Sequence, residues 1–389
     1  MKAFNFSTTQ SIINEIGSLA QIAQVCAKYN IHNPLIVTDQ GIVSNGLLAP
    51  LEKALNLANY KYSVFDKIVA DPADSLIKSA VDYAKRQAID GVIGLGGGSS
   101  LDGAKLVALL AHSDEQLTDI YGVDAVKGKR LPLILVPTTA GTGSEVTPIA
   151  IVTTGKTTKA GIVATQLLPD VAILDASLTV GLPPHVTAAT GVDAMVHAIE
   201  AYTSAIKKNV YSDMLAKQAL MLLSRNILTA TLNGTDLEAR QNMLFGACLA
   251  GQAFANAPVA AVHALAYPLG GHFKIPHGLS NALVLPHVMR FNLSHCADLY
   301  AELACIVCGD NDPSCSAEQQ GLALIDYIEK LIKQLSLPTS LAELGIKADD
   351  LDILASDAML QTRLLINNPK VVLLEDAKHI YQQAYNGLN

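Results

Sequence analysis

A chain of 389 residues, half of them hydrophobic and only 16% charged, has enough apolar material for two domains, each with its own core. The net charge of −8 comes from scattered side chains; with no basic stripe to neutralise phosphates, nucleic acid is excluded as a partner. No run reaches the roughly 18 apolar residues of a membrane span, and Met1-Lys2-Ala3-Phe4-Asn5-Phe6 lacks the basic and apolar segments of a secretory signal, so the expected setting is the cytoplasm, with no membrane.

In chain order, Pro34 to Thr38 reads as a strand ending at Asp39, followed by strands at Gly91 to Leu95, Leu131 to Val136 and Val171 to Leu174. Between them, Ser75 to Gln87 and Ser100 to Ala111 carry apolar residues at helical spacing. Strand, turn, helix and strand in alternation predict a parallel sheet covered by helices. The character changes at Gly181-Leu182-Pro183-Pro184. Beyond it, Val186 to Ser204, Ser212 to Ala230 and Leu237 to Asn256 are long alanine- and leucine-rich helical patterns. The expected division is an α/β domain over 1–180 and an all-α domain over 181–389. Cys305-Ile306-Val307-Cys308 is a CxxC, but no second CxxC or βαβ pattern accompanies it. The expectation is buried, reduced thiols.

Four segments carry chemistry. Gly94-Leu95-Gly96-Gly97-Gly98-Ser99-Ser100-Leu101-Asp102-Gly103-Ala104-Lys105 follows a strand and opens a helix. Glycines there let the backbone approach a pyrophosphate, and the helix N-terminus offers N–H groups. Asp39, at the end of the first strand, is suited to adenosine ribose hydroxyls and would repel a 2′-phosphate. The hydroxyl-rich run Thr138 to Thr147 follows the third strand, at the sheet edge where ligands bind. In Gly191 to Glu200, Asp193 and His197 share one face of a buried helix. They must be paired with each other, otherwise hydrogen-bonded, or ligating a metal. The segment Val262 to Gly278 adds His263 on a helical pattern, His272, and His277 in a turn after a proline. One carboxylate and three imidazoles suit a first-row divalent ion.

The runs GGGSSLDGAK from Gly96, TTAGTGSEVT from Thr138, GVDAMVHAIE from Gly191 and VHALAYPLGG…PHG from Val262 resemble the group III, iron-containing alcohol dehydrogenases in order and spacing. The resemblance implies a dehydroquinate synthase-like architecture, with a dinucleotide-binding α/β domain, an all-helical metal domain and a cleft between them. It implies Fe²⁺ on Asp193, His197, His263 and His277, with Zn²⁺ a competitor by affinity order. It implies NAD at positions matching Asp39, Gly97, Gly98, Ser99, Thr138, Thr139, Thr147, Lys159, Leu178 and Gly181; Asp71, Gly96 and Asp102 complete the expected cofactor set. It implies a dimer or larger homo-oligomer and a small alcohol interconverted with its aldehyde or ketone, through an alkoxide on the metal.

Two departures stand out. Asp71, in Ala70-Asp71-Pro72, occupies a position that is often asparagine. Tyr267 stands where many members carry a histidine, and Tyr-Pro is also similar to the hydroxyacid–oxoacid transhydrogenase branch; a 4-hydroxybutyrate-type dehydrogenase is the related alternative. Tyr267 and His272 are therefore the candidates for shaping the substrate pocket or relaying a proton. A dehydroquinate synthase-like lyase is the remoter alternative, but its acidic substrate needs basic residues, whereas Ala264, Leu265, Tyr267, Leu269 and Phe273 make this segment apolar.

Overall fold

The computed structural model describes residues 3–155, 158–309 and 314–388. The chain divides into two compact units, one of residues 7–182 and one of residues 183–389 together with the first six. Those first residues group with the helical unit because the rings of Phe4 and Phe6 lie 5.8 and 5.4 Å from Tyr211.

The first unit runs β1 (Ser11–Asn14), α1 (Ile22–Lys28), β2 (Pro34–Asp39), α2 (Gln40–Ser44), α3 (Ala49–Leu57), β3 (Ser63–Ile68), α4 (Asp74–Arg86), β4 (Gly91–Gly96), α5 (Gly98–Leu110), β5 (Gly122–Val123), β6 (Leu133–Pro137), β7 (Ile149–Thr154), β8 (Thr158–Val163) and β9 (Val171–Leu174). Six strands form one sheet in the order β1-β9-β6-β4-β2-β3, and every neighbouring pair is parallel. β4, β6 and β9 are buried along their whole length, as strands covered on both faces must be. On one face Leu35, Val37, Val92 and Leu135 pack with Ile77 of α4 and Leu101 of α5. On the other, Ile36, Ile93, Ile134 and Ile173 pack with Ile22 of α1 and Leu51 of α3.

The helices after β2 and after β4 thus leave on opposite faces, which makes the carboxyl ends of these neighbouring strands the switch point where such sheets bind ligands. The sequence reading omits β1, β3 and the antiparallel β7–β8 pair. β3 is an edge strand that carries Asp66 and Lys67, so it has no continuous apolar run.

The second unit is built of α6 (Pro184–Thr203), α7 (Val210–Leu232), α8 (Leu237–Asn256), α9 (Ala261–Phe273), α10 (His277–Val307), α11 (Ala317–Gln334), α12 (Leu351–Ala358), α13 (Thr362–Leu365) and α14 (Leu374–Asn386). Local chemistry starts these helices. Proline occupies the first turn of α6, Asn209 and Ser212 form a capping box on α7, and Asp236 accepts the Ala239 N–H at 2.9 Å on α8. α6 is buried on nearly every side from Thr187 to Thr203, so it is the central helix of this unit. Among the described residues no single helix is long and apolar enough to cross a membrane.

The structure corrects one expectation. Cys305 and Cys308 are exposed, although Cys26, Cys248 and Cys296 are buried. Leu303 and Ala304 take the inward face at the end of α10, which turns the two thiols outward.

Candidate metal centre and cofactor cradle

α6 presents Asp193 and His197 one turn apart, α9 presents His263, and His277 is the first residue of α10. His277 therefore opens a helix rather than sitting in a turn, with Pro276 as the residue before it. One ligand atom from each of the four side chains lies within 4.8 Å of all the others. Asp193 Oδ1 is 3.6 Å from His277 Nε2, 3.8 Å from His263 Nε2 and 4.0 Å from His197 Nε2. The Nε2 atoms of His197 and His263 are 3.1 Å apart. Ligands about 2.1 Å from a common tetrahedral ion sit about 3.4 Å from one another, so the spacing and donor chemistry fit one divalent ion. Asp193, His197 and His263 are buried, whereas the His277 side chain is 44% exposed; the set opens on that side, as a site that admits a substrate must.

Two further residues shape this centre, and the sequence reading assigns neither. Glu200 accepts from His263 Nδ1 at 2.7 Å and from the Val262 N–H at 2.7 Å. Holding Nδ1 this way turns the Nε2 lone pair toward the other ligands. The signal was available, because Glu200 lies seven residues after Asp193 and so on the same helical face. Asn281, one turn after His277, donates to Asp193 Oδ1 at 2.5 Å. Burial by itself raises the Asp193 carboxyl, but His197, His277 and His263, with the Asn281 amide, hold it below the ordinary carboxylate range. His197 stacks on Phe254 with centroids 4.3 Å apart, which locks the ring.

Tyr267 lies one turn along α9 from His263, half-buried, with its ring 6.0 Å from that of His277. α9 continues through Pro268, so Tyr267 keeps helical geometry despite the proline that follows. His272 points elsewhere, its Nε2 2.5 Å from Asp357 Oδ2.

In the other unit, the expected cofactor residues gather at the carboxyl ends of the parallel strands. Asp39 ends β2, Asp71 follows β3, Gly96 ends β4, Thr138 and Thr139 follow β6, and Leu178 and Gly181 follow β9. Gly96 has φ 147°, and a Cβ there would meet Ser100 Cβ at 2.8 Å; only glycine fits. At Gly97 the nearest atoms to such a Cβ are 3.7 Å away, on Thr139, so the backbone is open to a ligand. No side chain caps α5, which leaves that end of the helix available to an anion. Asp39 is held on both oxygens: Oδ1 accepts from the Ile42 N–H at 3.1 Å and Oδ2 from the Ser100 hydroxyl at 2.9 Å. Asp71 has φ 54°, a left-handed conformation that aspartate and asparagine tolerate better than most residues. Its N–H donates to Ser99 Oγ at 3.2 Å, and its carboxylate pairs with Lys159.

Beneath this edge lies a buried polar knot. The fully buried Lys105 Nζ donates to Asp102 Oδ1, Ser144 Oγ, Thr147 Oγ1 and the Ile149 carbonyl at 3.2, 2.8, 3.2 and 2.6 Å. Asp102 Oδ2 accepts the Ile151 N–H at 3.0 Å. Asp102 and Thr147, expected to touch cofactor, are thus tied to Lys105 and brace the threonine loop from within. Burial lowers the Lys105 ammonium from its ordinary range against the pull of Asp102 and Glu145, and burial raises the neighbouring Glu145 carboxyl to about 7 against the pull of Lys105.

A family model described as iron-containing alcohol dehydrogenase matches residues 9–176, and one described as the C-terminal part of the Fe-containing alcohol dehydrogenase family matches 187–385. The chain is 41% identical over 374 residues to long-chain-alcohol dehydrogenase 1 of Geobacillus thermodenitrificans, covering 95% of this chain and 94% of that protein. It is 34% identical to the NAD-dependent methanol dehydrogenase of Bacillus methanolicus, covering 96% of each. The crystal structure of a 1,3-propanediol oxidoreductase superposes with a TM-score of 0.95 at 32% identity, over 99% of this chain and all of that one.

Proposed function

The chain belongs to the iron-containing alcohol dehydrogenase family, and from that membership we propose that Asp193, His197, His263 and His277 hold the Fe²⁺ for its NAD-dependent oxidation of a small alcohol to an aldehyde or ketone. The observation that carries the assignment is the convergence of one carboxylate oxygen and three imidazole nitrogens within 4.8 Å. The ion supplies Lewis acidity that makes the alcohol hydroxyl easier to deprotonate, and NAD accepts the hydride.

The chain supplies placement. Asp193 offers the one negative charge of the set, Glu200 fixes the tautomer and direction of His263, and the stacked Phe254 keeps water from His197. The open backbone at Gly97 and the α5 N-terminus receive the pyrophosphate. Asp39 faces the adenosine ribose and selects against a 2′-phosphate. The functional unit is a homodimer or larger, following the family; light scattering of the purified protein checks this.

The test is a panel of alcohols and aldehydes with NAD(H) and NADP(H), run on chelator-treated protein refilled with Fe²⁺ or Zn²⁺. We expect NADH production from small alcohols with Fe²⁺ and a preference for NAD that Asp39→Gly narrows. His277→Ala is expected to lose turnover and bind metal more weakly while still binding NAD; full activity in that variant would sink the ligand assignment, and an NADP-preferring wild type would sink the role of Asp39.

Tyr267 supports a second reading of the substrate side. Its ring beside His277 puts a phenol, with a pKa near 10, where an imidazole near 6.5 is common in the family. An alkaline shift of kcat/KM relative to Tyr267→His follows. If Tyr267→Phe matches wild type at every pH, the phenol moves no proton and only shapes the pocket.

A further inference from the structure

The segment that follows β3 meets the first turn of α5 and is tied down through its backbone. The Asp71 N–H donates to Ser99 Oγ at 3.2 Å, and the Asp71 carbonyl accepts from Thr153 Oγ1 of β7 at 3.0 Å. The Pro72 carbonyl accepts the Thr153 N–H at 2.9 Å, and Ala73 forms an isolated parallel bridge with the same residue. None of these bonds uses the Asp71 carboxylate. The left-handed φ of 54° at Asp71 is one that asparagine adopts as readily, so neither the backbone bonds nor the backbone conformation here calls for a charge.

The carboxylate is spent on a cation instead. It pairs with the ammonium of Lys159 on β8, which also donates to Thr153 Oγ1 at 3.2 Å. The Lys159 side chain is 14% exposed and that of Asp71 61%, so the ammonium is held in place while the carboxylate faces water. Asp71 thus links Ser99, through its backbone, to Lys159, through its side chain. Ser99 belongs to the turn of α5 that no side chain caps, where the N–H groups are free for phosphates. Lys105, the other ammonium beneath this edge, is fully buried and already meets four acceptors. Lys159 is therefore the cation that phosphates on this turn would draw on, and Asp71 already engages it.

We propose that Asp71 is a positioning residue that acts through Lys159: it holds the ammonium off the dinucleotide phosphates, so that NAD binds by displacing an ion pair and leaves more readily than it would with a neutral residue at this position. The inference rests on the NAD assignment above. Two effects of the carboxylate oppose binding, its own repulsion of the phosphates and its hold on Lys159. The exposed carboxylate is screened by water and salt, whereas the ammonium it holds is largely shielded, so the hold on Lys159 is the larger of the two.

The test is binding to the metal-loaded, full-length protein, with NADH followed by its fluorescence and ADP-ribose by calorimetry. The proteins compared are wild type, Asp71→Asn, Lys159→Gln and the double variant. Asp71→Asn keeps the shape and the left-handed backbone and removes only the charge. We expect it to tighten both ligands about threefold to fivefold at low ionic strength, as release from one partly exposed ion pair allows, with the gain shrinking as salt is added and Tm unchanged. Lys159→Gln should weaken both ligands, and the double variant should bind no better than Lys159→Gln. The proposal is overturned if Asp71→Asn binds no more tightly than wild type, or if the double variant keeps the full gain. Weaker binding by Asp71→Asn would mean that the carboxylate itself receives the cofactor. A wild type that binds neither ligand would overturn the NAD assignment and this proposal together, whereas the other two outcomes leave that assignment standing.

Discussion

The two units treat buried polarity in opposite ways. Around Lys105 the polar atoms satisfy one another: one ammonium meets four acceptors, and Asp102 uses both oxygens. Around Asp193 the atoms that converge are mostly lone pairs. Besides the Asn281 amide that donates to it, a carboxylate oxygen faces three imidazole nitrogens at 3.6 to 4.0 Å, too far for hydrogen bonds and well placed for a shared cation. A closed network of this kind is scaffold, and what it offers a ligand is the backbone and hydroxyls it positions. A convergent set of acceptors is itself a ligand site. The distinction assigns roles within motifs that look equally polar in the sequence.

If the knot around Lys105 is scaffold, breaking it should damage stability and cofactor binding but leave the metal alone. Lys105→Met strands Asp102 and Glu145, and loss of one partner of a buried pair costs about 3–5 kcal/mol. A fall in Tm of roughly 10 °C, a raised KM for NAD and unchanged metal content are expected. A variant with native Tm and native KM would show that the threonine loop needs no such brace.

Glu200→Gln probes the other side. It keeps the shape but removes the charge that orients His263, and should weaken metal about 10–100-fold with NAD affinity unchanged. Equal metal affinity in the variant would reduce Glu200 to packing.

The smallest effect concerns Glu145. Its carboxyl titrates at about 7 in the folded chain against an ordinary 4.5, so the folded state holds an extra proton between those values. Its contribution to stability is then full below pH 4.5 and is lost as pH rises through 7. Glu145→Gln stays neutral and should gain on wild type between pH 5 and 8 in denaturant titrations. A constant difference across that range would contradict the burial argument.

What could be read from the sequence follows the same physics. Asp193 and His197 one turn apart, the glycines at a strand-to-helix turn and Asp39 at a strand end are local patterns, and each appears where the pattern put it. The bond from Glu200 to His263 spans 63 residues and that from Lys105 to the Ile149 carbonyl spans 44; no local period encodes either. β3 escaped notice because an edge strand tolerates Asp66 and Lys67. The CxxC misled because composition cannot say which face of α10 turns outward. Asp71 is intermediate: its departure from asparagine was visible in sequence, but its pairing with Lys159 required the fold.

The metal centre depends on the convergent lone pairs, which metal titration probes. Chelator-treated wild type, His197→Ala and His263→Ala should be titrated with Fe²⁺ under anaerobic conditions and with Zn²⁺, with NAD binding as the control for folding. The prediction is one ion per chain in wild type, and a loss of affinity in both variants larger than the 10–100-fold expected for an orienting residue such as Glu200. Wild type that binds no ion, or variants that bind it as tightly as wild type while still binding NAD, would contradict the claim that these side chains form a metal centre.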